Sequence, residues 1–333
     1  MVGESVYERQ RPGAGLETST RILQAGSWFG AAKSPIDRSI AIFRPMSAAS
    51  WLVRDRVVTL DRPLVMGIIN VTPDSFSDGG SFFSPGAALA HGARLLAEGA
   101  DILDIGGEST RPQGAAQVSA EEELRRILPI VRTLSAEHPE ALLSVDTVKS
   151  SVAEAAIDAG AHIVNDVSGL RLDAEMAGVC ARHEVGVVVM HSRGGVEDMA
   201  TYAHAVYAGD PLDEVLDELR ERVEVALERG IQRDRIAVDP GIGFGKRTGH
   251  SLRLLGCLER LVAWGFPVMV GVSRKRFIGE ITDVIEPQQR IHGSVGAAVS
   301  AFERGARIFR VHDVAATRHA LDMAAAIRDA ARA

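Results

Sequence analysis

The chain has 333 residues, of which 46% are apolar and 24% charged, and its formal net charge is −7 at pH 7. This composition excludes a chain that is disordered or fibrous throughout. The longest apolar runs, 185–190 and 266–272, are shorter than the roughly 18 residues of a membrane span, and an acidic chain lacks the basic face expected of a nucleic-acid binder. We therefore expect neither a membrane nor a nucleic acid as partner. The two cysteines, Cys180 and Cys257, are too few for a disulfide framework, so a cytoplasmic location is expected.

Residues 1–50 differ in composition from the rest of the chain. They are rich in Ser, Ala, Gly and Arg and show no clear helical or strand period. No basic segment leads into a long apolar stretch, so the region does not match a secretory signal. We interpret residues 1–50 as an irregular N-terminal extension, either disordered or the product of a mis-assigned start with Met46 as initiator. A transit peptide is the weaker alternative, and residues 51–333 are predicted to form one domain.

From residue 51 onward the pattern becomes regular. Residues 51–60 are predicted to form a short β-hairpin. Short continuous apolar runs follow, each succeeded by a segment with helical periodicity, as is typical of parallel strands buried on both faces. Residues 119–122, Ser-Ala-Glu-Glu, match a capping box at the start of one such helix. The eight apolar runs are 64–69, 102–105, 142–145, 163–164, 185–190, 236–238, 268–272 and 308–311.

A recurring Gly-Ala-x-Ile element supports this division into units. It begins at Gly99, Gly160 and Gly305, each time just before a predicted strand, and glycine suits the left-handed position that ends a helix. Eight strand–helix units predict an α/β fold, the (β/α)8 TIM barrel, with a short N-terminal hairpin. The alternative is an open doubly wound sheet, which normally carries a glycine-rich fingerprint after its first strand. The first strand here ends in Asn70-Val-Thr-Pro-Asp instead.

Polar or charged residues follow all eight predicted strands. In a (β/α)8 barrel the carboxyl ends of the strands carry the active site. A single polar strand end is ordinary loop chemistry, whereas eight together favour a functional site. The residues at these ends are Asn70, 106–111, Asp146, Asn165, Asp166, His191, Asp239, 273–275, Arg310 and His312.

The chemistry of these residues suits a particular kind of ligand. Two carboxylates, Asp146 and Asp239, with the amide of Asn165, match the adjacent N–H donors and carbonyl acceptor of a guanine-like ring. Lys275 suits the ring carbonyl or imine nitrogen. Residues 310 and 312, an Arg and a His, share one face of a strand and suit a phosphate, to which Arg offers a bidentate fork. Oxygen ligands from Asn70 and Thr110 could complete an oxyanion or Mg²⁺ site.

Two loops have unusual compositions. Residues 70–80 place an aromatic residue, acids and hydroxyl residues directly after a strand, which suits a lid that closes over substrate. Residues 239–246 resemble a P-loop, but Pro240 and Arg247 stand where that motif requires Gly and Ser or Thr. We interpret this second loop as a flexible segment that lets Phe244 lean over the barrel mouth. The ten histidines lack zinc-binding spacings, so a zinc site is not expected.

Taken together, these motifs resemble the dihydropteroate synthase family over about residues 51–330. The matching segments occur in the same order as in the family, and the match is carried by all of them jointly. They are MGIINVTPDSFSDGG at 66–80, DIGGESTRP at 104–112, SVDT at 144–147, NDVSG at 165–169, DPGIGFGK at 239–246, SRK at 273–275 and RVHD at 310–313.

The resemblance implies an enzyme of folate synthesis, a transferase with the TIM-barrel fold. Such an enzyme joins 6-hydroxymethyl-7,8-dihydropterin diphosphate to 4-aminobenzoate and releases diphosphate, with Mg²⁺ as cofactor. The family is usually homodimeric and is the target of sulfonamides. The small-molecule substrates and a second copy of the chain are therefore the expected partners.

The resemblance also assigns roles to individual residues. The residues that would hold the pterin are Asp146, Asn165, Asp239 and Lys275. Those that would hold the diphosphate are Asn70, Thr110, Arg310 and His312, with Asn70 also a metal ligand. Those that would border 4-aminobenzoate are Thr110, Arg111, Pro112, Phe244, Ser273 and Phe76. The candidate catalytic residues are Arg310, His312, Lys275 and Asp78.

Two other functions are alternatives to the synthase. A pterin-binding methyltransferase that moves a methyl group from methyltetrahydrofolate to a corrinoid would share the pterin-binding Asp and Asn positions. It would not need the segments 71–80, 109–112 and 273–275, all of which are present. A non-catalytic pterin-binding paralogue would be marked by loss of the diphosphate ligands, which are retained. The synthase is therefore the expected function.

Overall fold

The structure is a computed structural model that describes residues 50–72, 85–109 and 118–331. The described strands are β1 (Ser50–Val53), β2 (Arg56–Thr59), β3 (Leu64–Asn70), β4 (Ile102–Gly106), β5 (Leu142–Asp146), β6 (Ile163–Asp166), β7 (Gly186–Met190), β8 (Ile236–Asp239), β9 (Met269–Val270) and β10 (Ile308–Val311). The described helices are α1 (Pro85–Ala97), α2 (Ala120–Glu137), α3 (Ser150–Asp158), α4 (Met176–Arg182), α5 (Pro211–Glu228), α6 (Thr248–Gly256), α7 (Glu259–Val262), α8 (Arg276–Thr282), α9 (Ile291–Glu303) and α10 (Val314–Ala330). No helix in these ranges is long and apolar enough to cross a membrane.

The eight strands from β3 to β10 form one parallel sheet that closes into a barrel. Their order is β8-β7-β6-β5-β4-β3-β10-β9, and a parallel bridge between Val238 and Val268 joins the two ends. Helices connect successive strands, as right-handed parallel crossovers require. The predicted (β/α)8 barrel is thus confirmed, and the open doubly wound sheet is excluded by the closure.

Side chains along the barrel strands alternate between two apolar layers, because successive residues of a strand point to opposite faces. The outer layer packs under the helices, as Val65, Leu103 and Val145 do. The inner layer fills the barrel at the amino ends of the strands, where the first inward-facing residues meet. Its members from the strands are Leu64, Met66, Ile102, Leu142, Ile163, Val188, Ala237, Met269 and Ile308.

The predicted N-terminal hairpin covers the amino end of the barrel. Its strands β1 and β2 pair antiparallel, and Trp51 and Val53 join the inner apolar layer. The Trp51 indole Nε1 donates a hydrogen bond to the Arg235 carbonyl at 2.8 Å. A Cβ on Gly186 would lie 2.9 Å from Val53 and 3.0 Å from Trp51, so the glycine at the start of β7 makes room for the hairpin.

Loss of the Trp51 side chain should destabilise the barrel strongly. Trp51→Ala removes a fully buried aromatic ring, which should lower the free energy of unfolding by about 3–5 kcal/mol. Val57 lies on the same hairpin but is 68% exposed, so Val57→Ala serves as the matched control and should change stability by less than about 0.5 kcal/mol. Urea unfolding followed by fluorescence measures both variants, and equal losses would contradict a sealing role for the hairpin.

Residues that the sequence predicts to begin or end helices lie at the helix ends in the structure. Gly99, Gly160 and Gly305 all have positive φ at the ends of helices, as the repeated element predicts. Ser119 caps α2, and its hydroxyl accepts a hydrogen bond from the backbone N–H of Glu122 at 3.2 Å. The Glu122 carboxylate instead accepts hydrogen bonds from Arg125 and Arg126, so only the Ser119 half of the predicted capping box forms.

Candidate active site

A cavity of about 600 Å³ opens at the carboxyl ends of the barrel strands. Beyond the inner apolar layer, several inward-facing positions two or four residues further along the strands are polar, such as Asn70, Asp146 and Arg310, and apolar residues such as Ile68, Val167 and Met190 lie among them. The side chains that line it from the strand ends and the loops that follow are Asn70, Asp146, Asn165, Asp239, Phe244, Lys246, Ser273, Arg274, Lys275, Arg310 and His312.

Arg310 lies between two carboxylates at the base of this cavity. Its Nε donates to Asp104 Oδ2 at 2.6 Å and its Nη2 donates to Asp146 Oδ2 at 2.6 Å. Asp104 comes from the middle of β4 and is fully buried, whereas the Asp146 side chain at the end of β5 remains 16% exposed. The guanidinium therefore links a buried anchor to a carboxylate that faces the cavity.

Asn165 and Asp239 supply two further polar groups. Asn165 Nδ2 donates to Asp104 Oδ2 at 3.1 Å, and Asn165 Oδ1 is buried without a hydrogen bond from a described residue. Asp239 ends β8 and accepts a hydrogen bond on Oδ1 from the backbone N–H of Gly241 at 2.7 Å. Each side chain thus uses one polar atom for its own support and has a second for which the described residues show no hydrogen bond.

Burial shifts the ionisation of the charged groups around the cavity. Loss of water raises the pKa of Asp146 to about 7, against the opposing effect of Arg310. Burial likewise raises the pKa of Asp239 to about 6 and lowers the pKa of Lys275 to about 8. Carboxyl groups with raised pKa values beside a cation are typical of functional sites.

The glycine-rich loop after β8 brings Phe244 to the cavity. The Lys275 ammonium lies 4.1 Å from the centroid of the Phe244 ring, a cation–π contact. Gly241, Gly243 and Gly245 all have positive φ, and a Cβ on Gly241 would lie 1.9 Å from the His191 carbonyl oxygen. The glycines therefore allow the loop to pass close to the His191 carbonyl, and the loop places Phe244 at the cavity, as the sequence predicts.

Lys246 holds the end of this loop from beneath. Its buried Nζ donates to the Phe244 carbonyl at 2.9 Å and lies 2.8 Å from His191 Nδ1. His191 Nε2 in turn lies 3.1 Å from Glu218 Oε2, and Arg193 pairs with Glu218. Burial lowers the pKa of Lys246 to about 7 and that of His191 to about 4. This chain of polar contacts ties the loop to helix α5.

The last two strand ends contribute a hydroxyl and an imidazole. Ser273 Oγ lies 3.1 Å from His312 Nδ1 and accepts a hydrogen bond from the His312 backbone N–H at 3.1 Å. Arg274 donates two hydrogen bonds to Asp313, from Nε at 3.0 Å and from Nη2 at 2.5 Å. Ser273 and His312 are thus coupled to each other, while the Arg274 guanidinium is engaged by an acid outside the strand-end cluster.

The arrangement has two chemically distinct parts. Asp146, Asp239 and the free oxygen of Asn165 offer acceptors to a planar ring that carries N–H donors. Arg310, Lys275 and His312 concentrate positive or proton-donating groups beside them, which suits an anion attached to that ring. Such a site can bind a charged heterocycle and stabilise negative charge that leaves it.

Comparison with known proteins decides the family. Residues 66–312 match the family model of the pterin binding enzymes. A dihydropteroate synthase of Bacillus subtilis is 41% identical over 283 residues, which cover 85% of this chain and 92% of that protein. The chain belongs to the dihydropteroate synthase family.

Solved structures agree with this assignment. The dihydropteroate synthase of Xanthomonas albilineans with 4-aminobenzoic acid is 48% identical, with a TM-score of 0.78, and the match covers 84% of this chain and 98% of that one. The same enzyme in complex with 7,8-dihydropteroate is 46% identical, with a TM-score of 0.75 and the same coverage. As a member of the dihydropteroate synthase family the chain is a transferase of folate synthesis, and neither alternative function is favoured.

The residues that the resemblance assigns fall into two groups in the structure. The first group lines the cavity at the carboxyl ends of the strands and comprises Asn70, Asp146, Asn165, Asp239, Phe244, Ser273, Lys275, Arg310 and His312. The second group lies outside the described residues and comprises Phe76, Asp78, Thr110, Arg111 and Pro112. The roles predicted for the dihydropteroate synthase family remain predictions for both groups.

Sequence reasoning missed two residues that shape the site. The sequence motif that begins at Asp104 assigns this residue no role, although a carboxylate inside an apolar strand is itself a signal, because such a group needs a charged partner. The sequence gives no role to Lys246 either, because a glycine-rich loop does not indicate that its lysine is buried. Conversely, Asp166 and His191 end strands but turn away from the cavity, since Asp166 accepts backbone hydrogen bonds from Ser168 and Leu170.

Proposed function

We propose that the cavity binds 6-hydroxymethyl-7,8-dihydropterin diphosphate and 4-aminobenzoate and joins them to 7,8-dihydropteroate, releasing diphosphate. The observation that supports this most directly is the convergence of three ring-binding acceptors and the guanidinium of Arg310 in one cavity. The 4-aminobenzoic acid and 7,8-dihydropteroate found in the Xanthomonas enzyme match one of these substrates and this product.

The pterin would occupy the acceptor side of the cavity. A carboxylate accepts two parallel hydrogen bonds from adjacent ring donors, and Asp239 has its Oδ2 available for this because Gly241 engages Oδ1. Asn165 Oδ1 would accept from a further ring N–H, which would satisfy an otherwise unpaired buried oxygen. Lys275 would donate to the ring carbonyl or imine nitrogen.

The proposed reaction breaks the bond between the pterin methylene carbon and the diphosphate oxygen. The electron pair leaves with diphosphate, and conjugation with the electron-rich ring stabilises the positive charge at the carbon. The aniline nitrogen then forms the new C–N bond and releases a proton. Arg310 and His312 would bind the departing charge, and Asp146 would face the cation, so the main catalytic contribution is electrostatic. Exclusion of water from the cation prevents its hydrolysis.

The 4-aminobenzoate would lie at the rim, beside Phe244 and Ser273. The Phe244 ring offers an apolar face for an aromatic ring, and its contact with Lys275 places that face beside the proposed pterin site. The other four residues assigned to this substrate, Phe76, Thr110, Arg111 and Pro112, lie outside the described residues. The described residues therefore form only part of the proposed 4-aminobenzoate site.

Mg²⁺ is proposed to bind together with the diphosphate. Among the described residues no cluster of three or more His, Cys, Asp or Glu side chains could hold a metal ion. Asn70 lines the cavity from the end of β3 and offers one neutral oxygen. One protein oxygen plus phosphate oxygens is a usual Mg²⁺ environment, so Asn70 fits a metal whose charge would offset that of the leaving group.

We also propose a homodimer and a cytoplasmic location. Met323 and Ile327 are each 64% exposed on α10, and their spacing of four residues places them on one face of the helix. A second copy of the chain would cover such an apolar face. Sedimentation velocity at several protein concentrations tests the dimer, and the low cysteine content supports a reducing compartment.

The decisive test of the function is diphosphate release from the dihydropterin diphosphate, measured with and without 4-aminobenzoate. The proposal expects release to depend on 4-aminobenzoate and to match the formation of dihydropteroate mole for mole. Release that is independent of 4-aminobenzoate would indicate a diphosphatase, and the absence of release would reject the synthase reaction.

Affinity for the pterin should rise with pH between about 5 and 7. The pKa of Asp239 is about 6 in the ligand-free protein, so below that pH the carboxyl must lose a proton before it can accept two hydrogen bonds. Protonation of Asp239 should therefore weaken binding about tenfold for each pH unit below 6, and Asp146, whose pKa is about 7, should add to the dependence, so a plateau is expected only above about pH 7. Calorimetry with a pterin that lacks the diphosphate measures this, and Asp239→Asn should remove the Asp239 contribution and leave that of Asp146. A flat profile in the unmodified protein would contradict the prediction.

A further inference from the structure

Asp104 is a carboxylate in the middle of an otherwise apolar strand. It lies on the inward face of β4, two residues after Ile102 of the inner apolar layer, and it has no exposed surface. It does not line the cavity. Because burying an unpaired carboxylate is costly, a residue in this position requires partners that compensate its charge.

A single oxygen of Asp104 engages two residues of the site. Oδ2 accepts hydrogen bonds from Arg310 Nε at 2.6 Å and from Asn165 Nδ2 at 3.1 Å. The bond to Nε fixes one edge of the planar guanidinium and so determines where its other nitrogens point. Nη2 is directed at Asp146, which does line the cavity.

The same oxygen determines the orientation of the Asn165 amide. If the amide were flipped, Asn165 Oδ1 would face Asp104 Oδ2, and two hydrogen-bond acceptors would lie against each other. The amide nitrogen Nδ2 must therefore face the carboxylate. Asn165 Oδ1 then points away from Asp104, buried and without a hydrogen bond from a described residue. Asn165 therefore presents an acceptor, and not a donor, to a ligand.

We infer that Asp104 is a positioning residue that aligns Arg310 for the leaving group and Asn165 for the pterin ring through one shared oxygen. The inference rests on the proposed function for the roles of those two partners. Asp104 acts only through them, because it is buried behind them and does not reach the substrate.

Two substitutions distinguish the hydrogen-bond acceptor of Asp104 from its negative charge. Asp104→Leu has a similar shape but removes both acceptors, and we expect turnover to fall by about tenfold to a hundredfold, as for groups that orient other ligands. Asp104→Asn can keep an oxygen in the Oδ2 position and should retain much more turnover. Ser144→Ala is the matched control, because Ser144 pairs with Asp104 in register, is buried, and its hydroxyl makes no hydrogen bond with a described residue.

Double-mutant cycles show whether Asp104 acts through its two partners. In an Arg310→Lys background, Asp104→Leu should lower turnover by less than about threefold further. In an Asn165→Ala background, it should not further weaken binding of a pterin that lacks diphosphate. If Asp104→Leu does not fold, the same two cycles are measured with Asp104→Asn, whose smaller effects should likewise disappear.

The possible outcomes distinguish positioning from general support of the fold. Additive losses in both cycles, or a lowered melting temperature with normal turnover and affinity, would overturn the inference. A loss equal to that of Ser144→Ala would also overturn it. The proposed function fails separately, if the unmodified protein releases no diphosphate, and the pterin-binding cycle would then still test the orientation of Asn165.

Discussion

Arg310→Lys should lower turnover by about 10²–10³-fold while leaving affinity for a pterin without diphosphate nearly unchanged. Removing one preorganised donor to developing charge has an effect of this size, and lysine keeps the charge but loses the planar fork. Lysine is preferred to alanine because the positive charge of Arg310 lowers the pKa of Asp146, which burial raises. Substitution by alanine would remove this charge, so Asp146 would be protonated more readily and pterin binding would change as well.

Steady-state kinetics and calorimetry together test the role of Arg310. Arg318→Lys is a suitable control, since the Arg318 guanidinium is also buried but donates to the Pro63 carbonyl at the amino end of the barrel. That variant should affect stability and not turnover. Added Mg²⁺ should restore little activity to Arg310→Lys, because the metal and the guanidinium would contact different oxygens. Near-normal turnover, or an equal loss of bare-pterin affinity, would show that Arg310 is not the leaving-group ligand.

Asp239→Asn should weaken pterin binding by about 5- to 150-fold, which corresponds to the 1–3 kcal/mol lost when a buried donor is left unsatisfied. The amide oxygen can still accept the hydrogen bond from the Gly241 N–H that supports the loop. The amide nitrogen would then face the ring donors, so only the contact with the ligand is lost. Asp146→Asn should weaken pterin binding in the same direction.

Calorimetry with a bare pterin measures this effect directly. Asp166→Asn is the matched control, because Asp166 is also a buried strand-end carboxylate but accepts hydrogen bonds from Ser168 and Leu170 in its own loop and does not line the cavity. It should lower the melting temperature without changing pterin affinity. Unchanged affinity in both Asp239→Asn and Asp146→Asn would reject the assignment of these carboxylates to the ring.

Much of the fold could be predicted because its signals are local. The apolar runs at 64–69 and 142–145 correspond to β3 and β5, which extend one residue further to include the polar ends Asn70 and Asp146. The glycines before the strands and the Ser119 cap lie where their backbone preferences require. The prediction for residues 268–272 is the least accurate, since the strand covers only Met269–Val270, Val268 forms a single bridge to Val238, and the residues after Val270 lead into the site loop.

By itself, the sequence of this protein determined the barrel, the hairpin and the set of strand ends that could hold a ligand. Only the tertiary structure decided which polar ends face the cavity and which, like Asp166 and His191, support loops. It also decided the pairing of Arg310 with Asp104, residues 206 positions apart. The physical reason is that the alternation of side chains between the two faces of a strand is a local property of the sequence. The partner of a buried charge depends instead on closure of the whole barrel, which places β4 and β10 on opposite sides of β3.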